Sequence, residues 1–163
     1  MHVDVRLFPN GHLTTSKPEY ESRWSVRAEP DGRIEGTDGY LFYEAQVPLV
    51  KPHAGWCVAV DNLQDFSVRV LTAYGFNDRE ISDFLDYWLP ILNEAPFYEI
   101  RPLVNEQLDF TCPIDILPKP DNLLRLWLLF TPVNSRSSLA EPQIPLFSRN
   151  GFVATEWGGA IVP

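Results

Sequence analysis

Apolar and polar residues alternate in two stretches near the start of the chain. Val3-Asp4-Val5-Arg6-Leu7 and Trp24-Ser25-Val26-Arg27-Ala28 each set every second side chain on one face, the pattern of a half-buried strand. Pro9-Asn10-Gly11 closes the first, and Pro30-Asp31-Gly32 and Asp38-Gly39 supply further turns. Tyr40–Gln46 is rich in aromatic residues and suits a strand. Pro48, Pro52 and Gly55 then mark a loop, and Trp56–Val60 reads as a further strand.

The period next changes from two to 3.6. Leu63, Phe66, Val70, Leu71 and Tyr74 recur at helical spacing, with Asp61 expected as the N-cap and Gly75 as the stop. Asn77 followed by Glu80 is a capping-box pattern, and Ile81, Phe84, Leu85, Trp88 and Leu89 form one wide apolar stripe that Pro90 bends or ends. The spacing predicts a helical hairpin over about 62–75 and 78–92, whose stripe needs a sheet to lie on. Phe97–Leu103, Leu108–Cys112 and Ile114–Leu117 read as strands, and Pro118–Asn122 as a turn. Leu123–Thr131, the most apolar run, is expected at the centre of the sheet. Asn134–Ser138 reads as the most mobile stretch, and Phe152–Ile161 holds a last strand. The fold class is therefore α+β: a mainly antiparallel β-sheet or sandwich with a central helical hairpin packed on it. No repeat or linker divides the chain, so residues 1–163 are expected to form one globular domain.

Composition adds to this picture in two ways. At 45% hydrophobic residues the chain can bury a core without disulfides or metal. Its 15 prolines, which lack a backbone donor, point to long ordered connections and a minority of helix. The net charge of −9, with no cluster of Lys or Arg, opposes binding to nucleic acid or to an anionic membrane surface. No apolar run is long enough to span a bilayer: Leu123–Phe130 is broken by Arg125. Met1-His2-Val3-Asp4 has neither a basic nor an apolar leader region, so no signal peptide is expected in this chain, which leaves a cytoplasmic protein or a mature exported domain.

Candidate chemistry is sparse. His2, His12 and His53 share no metal-ligand spacing with each other or with cysteine, and no metal or other cofactor is expected. Cys57 and Cys112 can form one bond or stay as two core thiols, and Cys57 so near His53 makes no nucleophile–base pair. Gly158-Gly159 is too short for a phosphate loop and reads as a tight turn or a close approach. Asp31 and Asp38 lack the full ligand pattern of a calcium loop. Glu44, in an aromatic strand, and Glu156, beside Trp157, are the one carboxylate pair set against aromatic surface, as in glycosidases. Of the five tryptophans, Trp88 and Trp127 are expected in the core. Trp24, Trp56 and Trp157 are the candidates for a binding surface.

Several segments in order resemble an uncharacterised family of bacterial proteins. They are Leu13-Thr14 with Lys17-Pro18-Glu19-Tyr20, then Trp24–Gly32, then Tyr40-Leu41-Phe42-Tyr43-Glu44, where Tyr43 replaces the family's usual Trp. Gly75-Phe76-Asn77-Asp78-Arg79-Glu80 through Asp86-Tyr87-Trp88-Leu89-Pro90, Phe147–Phe152 and Glu156-Trp157-Gly158-Gly159 continue the series over nearly the whole chain. The resemblance implies a single complete domain, with some exported relatives and no catalytic assignment. The functional expectation is a non-catalytic binding or structural module in a cell-surface or extracellular assembly, with another protein as partner. The alternative is a carboxylate-based hydrolase acting on carbohydrate through Glu44 and Glu156.

Overall fold

A computed structural model describes residues 1–163. The elements in order are β1 (His2–Leu7), β2 (His12–Lys17), β3 (Trp24–Arg27), β4 (Phe42–Gln46), β5 (Trp56–Ala59), α1 (Leu63–Tyr74), α2 (Asp78–Trp88), β6 (Phe97–Val104), α3 (Glu106–Asp109), β7 (Ile114–Leu117), β8 (Asn122–Val133) and β9 (Val153–Ile161). The class is α+β with mostly antiparallel sheets. The chain divides into two compact units, Met1–Val50 with Glu106–Asp121, and Lys51–Asn105 with Asn122–Pro163.

The first unit holds an antiparallel three-stranded sheet in the order β3-β1-β7 and a two-stranded sheet of β2 and β4. The alternation in β1 buries Val3, Val5 and Leu7. Strand β2 escaped the sequence reading because it has no buried face: His12-Leu13-Thr14-Thr15-Ser16-Lys17 is exposed or half-buried throughout and carries a bulge between Leu13 and Thr15.

The expected strand at Leu108–Cys112 is instead a short helix and a turn. Asn105 takes a left-handed backbone (φ 47°), and the Thr111 and Cys112 N–H groups both donate to the Leu108 carbonyl, at 3.0 and 2.7 Å. Leu108 and Cys112 are fully buried while Phe110 between them is 82% exposed. A strand would place all three on one face, whereas a helical turn separates them.

The second unit is a four-stranded sheet, β5-β6-β8-β9, with β8 inside as expected. β5, β6 and β8 pair antiparallel, and β9 runs parallel to β8. The helical hairpin lies on one face, where Leu124, Leu126, Leu128 and Phe130 of β8 meet Phe66, Val70, Phe84 and Trp88 in one core.

Helix α1 starts later than Asp61 suggests. A 3-10 turn over Val60–Asn62 precedes it, and Asn62 takes the N-cap position without a side-chain bond. Gly75 ends the helix in the left-handed region (φ 103°), and Phe147 packs so closely that a β-carbon there would sit 2.9 Å from its ring. The Asn77–Glu80 capping box forms as expected. Helix α2 stops at Trp88, because Pro90 has no N–H to continue it, and the chain turns through Leu92.

Candidate functional site

The sheet of the second unit has a polar cluster on the face away from its helices. Residues 124, 126, 128 and 130 of β8 point to the hairpin, so Arg125 and Trp127 point the other way. In the parallel register Arg125 lies opposite Glu156 and Trp127 opposite Gly158. The Arg125 Nε donates to Glu156 Oε2 at 2.5 Å, and the Trp127 Nε1 donates to Oε1 at 2.9 Å. Arg125 is 1% exposed and Glu156 12%. Asn105 completes the cluster: its side-chain oxygen accepts the Arg125 N–H at 2.9 Å and its own N–H donates to the Arg125 carbonyl. A β-carbon at Gly158 would lie 3.0 Å from the Trp127 indole, so glycine there makes room for the ring. Both oxygens of Glu156 therefore bind β9 to β8.

The other sequence candidates fall in separate places. Glu44 is exposed on β4 of the first unit, opposite Thr15, while Glu156 belongs to the second. Trp24 is buried in the first unit, 5.0 Å from the Tyr20 ring and 6.4 Å from Tyr43, with its Nε1 donating to the Pro18 carbonyl at 2.8 Å. The Tyr20 hydroxyl accepts the Leu7 N–H and donates to the Ser22 carbonyl. Trp56 and Trp157 are half-buried on opposite edge strands of the four-stranded sheet. Trp56 stands 5.4 Å from Phe66, and Trp157 stands 5.7 Å from Phe84 and 6.4 Å from Tyr87. Trp24 is thus a core residue of its unit, and Trp56 and Trp157, on opposite edges of one sheet, share no patch. The strongly exposed apolar side chains are others, Phe110 and Val50 in the first unit and Leu146 in the second.

The segments around Arg149 and Thr155 also hold strands and helices together. Arg149 grips Glu80 with both terminal nitrogens at 3.0 Å and reaches the Gly75 carbonyl, while Thr155 donates to Glu80 at 2.7 Å. Cys57 and Cys112 are free thiols, one in each unit. His53 is exposed in its loop. No three His, Cys, Asp or Glu groups lie where they could hold a metal ion.

A second polar group, not among the sequence candidates, sits at the β5 edge. Cys57 lies opposite Glu99 in the β5–β6 register. The Ser137 hydroxyl donates to Glu99 at 2.5 Å and its N–H to the Cys57 sulfur at 3.3 Å. Arg101 Nη1 stands 2.7 Å from the other Glu99 oxygen, an ion pair without hydrogen-bond alignment. The Ser137 hydroxyl foremost, with Arg101 beside it, holds the Glu99 carboxyl below its ordinary value against the opposing effect of burial. Next to this group a groove of about 420 Å³ opens between β5 and α1, lined by Cys57, Ala59, Asn62, Asp65, Arg69 and Arg136 among others. The residues come from three separate segments, and the only advance signal was the polar side of α1.

Compared with protein-family models, curated proteins and solved structures, the chain has no match.

Proposed function

We propose that this chain is a non-catalytic binding or structural module that works in an assembly at the cell surface or outside the cell, with another protein as partner. The observation that carries this reading is the engagement of Glu156. Its carboxylate is held by a buried guanidinium and an indole, a geometry that fixes strand pairing and leaves no lone oxygen aimed at a substrate. The same reading extends to the segments that resemble an uncharacterised bacterial family, which serve as internal fastenings: Trp24 with Tyr20, Glu80 with Arg149, and Gly158 with Trp127.

The test is isolation of the tagged chain from its native cells under mild conditions, alongside a screen of the pure protein against polysaccharides and oligosaccharides. A stoichiometric complex with a second protein, and no hydrolysis, is the expected result. Hydrolysis that disappears in Glu44→Gln or Glu156→Gln while the fold is kept would replace this reading with the carbohydrate hydrolase.

A further inference from the structure

Strand β5 is an edge strand, and its outer side opens on the groove. The Val60 N–H donates to the Pro96 carbonyl at 3.0 Å, on the side of β6. Backbone groups in an antiparallel pair alternate toward and away from the partner, so Val58 faces β6 with Val60, and Cys57 and Ala59 face away. On that outer side the Gly55 N–H donates to the Ala140 carbonyl at 2.9 Å, and no further backbone bond reaches the N–H groups of Cys57 or Ala59. The groove therefore begins where the edge loses its cover.

Two arginines line the same groove. Arg69 stands with its guanidinium 5.6 Å from the Phe66 ring centre, and Arg136 stands 6.0 Å from that of Phe97. Neither makes an ion pair or a hydrogen bond within the chain, in a protein where seven of the ten arginines are ion-paired. Stacking on a ring holds a guanidinium in place and leaves its N–H fork open for a carboxylate. Asp65 is the one acid in the lining, so cations outnumber anions there although the whole chain carries −9.

From the open edge, the concave shape and the unpaired arginines, we infer that this groove docks an extended peptide bearing a carboxylate. The peptide adds as a short strand beside Cys57 and Ala59, and its carboxylate meets Arg69 and Arg136. The inference rests on the binding-module reading and names the partner's chemistry: an acidic side chain or a chain terminus on an extended segment. A free anion would use the arginines but leave the strand edge empty.

Cys57 reports on the groove without any added label. It is half-buried at the groove, whereas Cys112 is fully buried, so a small alkylating reagent distinguishes them. The probes are three pentapeptides. The first, acetyl-Thr-Val-Glu-Val-Thr-amide, offers a side-chain carboxylate. The second, acetyl-Thr-Val-Gln-Val-Thr with a free terminus, offers a terminal one. The third, the Gln peptide as an amide, offers none. At about millimolar concentration, at least one of the first two should slow iodoacetamide labelling of Cys57 and hydrogen exchange at the Cys57 and Ala59 amides. Whichever does so identifies the source of the carboxylate. The third should protect at least about tenfold more weakly, and so should either active peptide on Arg69→Gln/Arg136→Gln.

The inference is overturned if neither carboxylate peptide protects, if the neutral peptide protects equally, or if inorganic phosphate protects Cys57 where the peptides do not. A native complex that survives in Arg69→Gln/Arg136→Gln would overturn the groove's role and leave the binding-module reading standing. Absence of any complex together with absence of peptide protection would end both.

Discussion

Replacing Glu156 with Gln separates a structural role from a catalytic one. The substitution keeps the side chain's shape and removes its charge. It sets an amide where Arg125 Nε now meets a carboxylate oxygen at 2.5 Å, with Trp127 Nε1 on the other oxygen at 2.9 Å. Arg125 is 1% exposed, so water cannot replace what is lost. Loss of one charge-assisted hydrogen bond alone costs about 1.5–3 kcal/mol. Removing one partner of a buried ion pair costs about 3–5 kcal/mol in full, because the other charge keeps its desolvation penalty. We expect Glu156→Gln to lose about 3–5 kcal/mol, close to the upper figure for a site this dry.

The assay is urea unfolding followed by tryptophan fluorescence, with the slope of the transition checked so that a midpoint shift reads as stability. Arg125→Met should cost a similar amount. The double variant Arg125→Met/Glu156→Leu should be less destabilised than the two single losses combined, since no buried charge is then left alone. Glu44→Gln, on an exposed strand position, should stay within about 0.5 kcal/mol of the parent. A Glu156→Gln protein as stable as the parent, or more so, would refute the reasoning. A carboxylate held against stability is the mark of a functional group, whereas one held for stability is a fastening.

Three other substitutions probe the rest of the fold. Tyr74 is fully buried, its hydroxyl has no hydrogen-bond partner, and burial pushes its pKa up to about 12; Tyr74→Phe should therefore raise stability by up to about 1–2 kcal/mol, and a clear loss in urea unfolding would point to a partner for that hydroxyl. The Glu99 carboxyl is held low first by the Ser137 hydroxyl. Its folded pKa thus lies below the unfolded one, so its contribution is present above the ordinary carboxylate range and lost as pH falls through the folded value; Ser137→Ala should flatten the acid limb of a stability–pH curve, and an unchanged limb would contradict the assignment. Gly75→Ala puts a β-carbon at φ 103° and 2.9 Å from Phe147, and should cost about 1–3 kcal/mol by thermal unfolding, with an unchanged midpoint as the contrary result.

How much of this was legible in the sequence depends on whether a residue's partner is local. The Asn77–Glu80 capping box and the Gly75 stop are contacts within one or two turns of chain, and local spacing predicts them. The apolar run of β8 marked an interior strand because a strand buried on both faces loses its alternation. Leu108 and Cys112 misled because two apolar residues four apart fit a helical turn as well as a strand, and only the exposure of Phe110 decides between them. Arg125 is the sharper case. In sequence it only interrupts an apolar run, and its meaning comes from Glu156, which the parallel return of β9 brings opposite. Direction of pairing has no sequence signal when the connection is the irregular stretch from 134 to 152.

The groove at β5 has no sequence signature for the same physical reason. Asn62, Asp65 and Arg69 are the polar complement of the α1 stripe, so their shared helix face was readable. Arg136 comes from the irregular segment, and the free edge of β5 depends on where that segment stops covering it, at Ala140 and Gly55. A strand's hydrophobic pattern says which face is buried and nothing about which edge is open. Edge chemistry is set by the neighbour that is absent, and that absence becomes visible only when the backbone bonds on both sides of the strand have been traced.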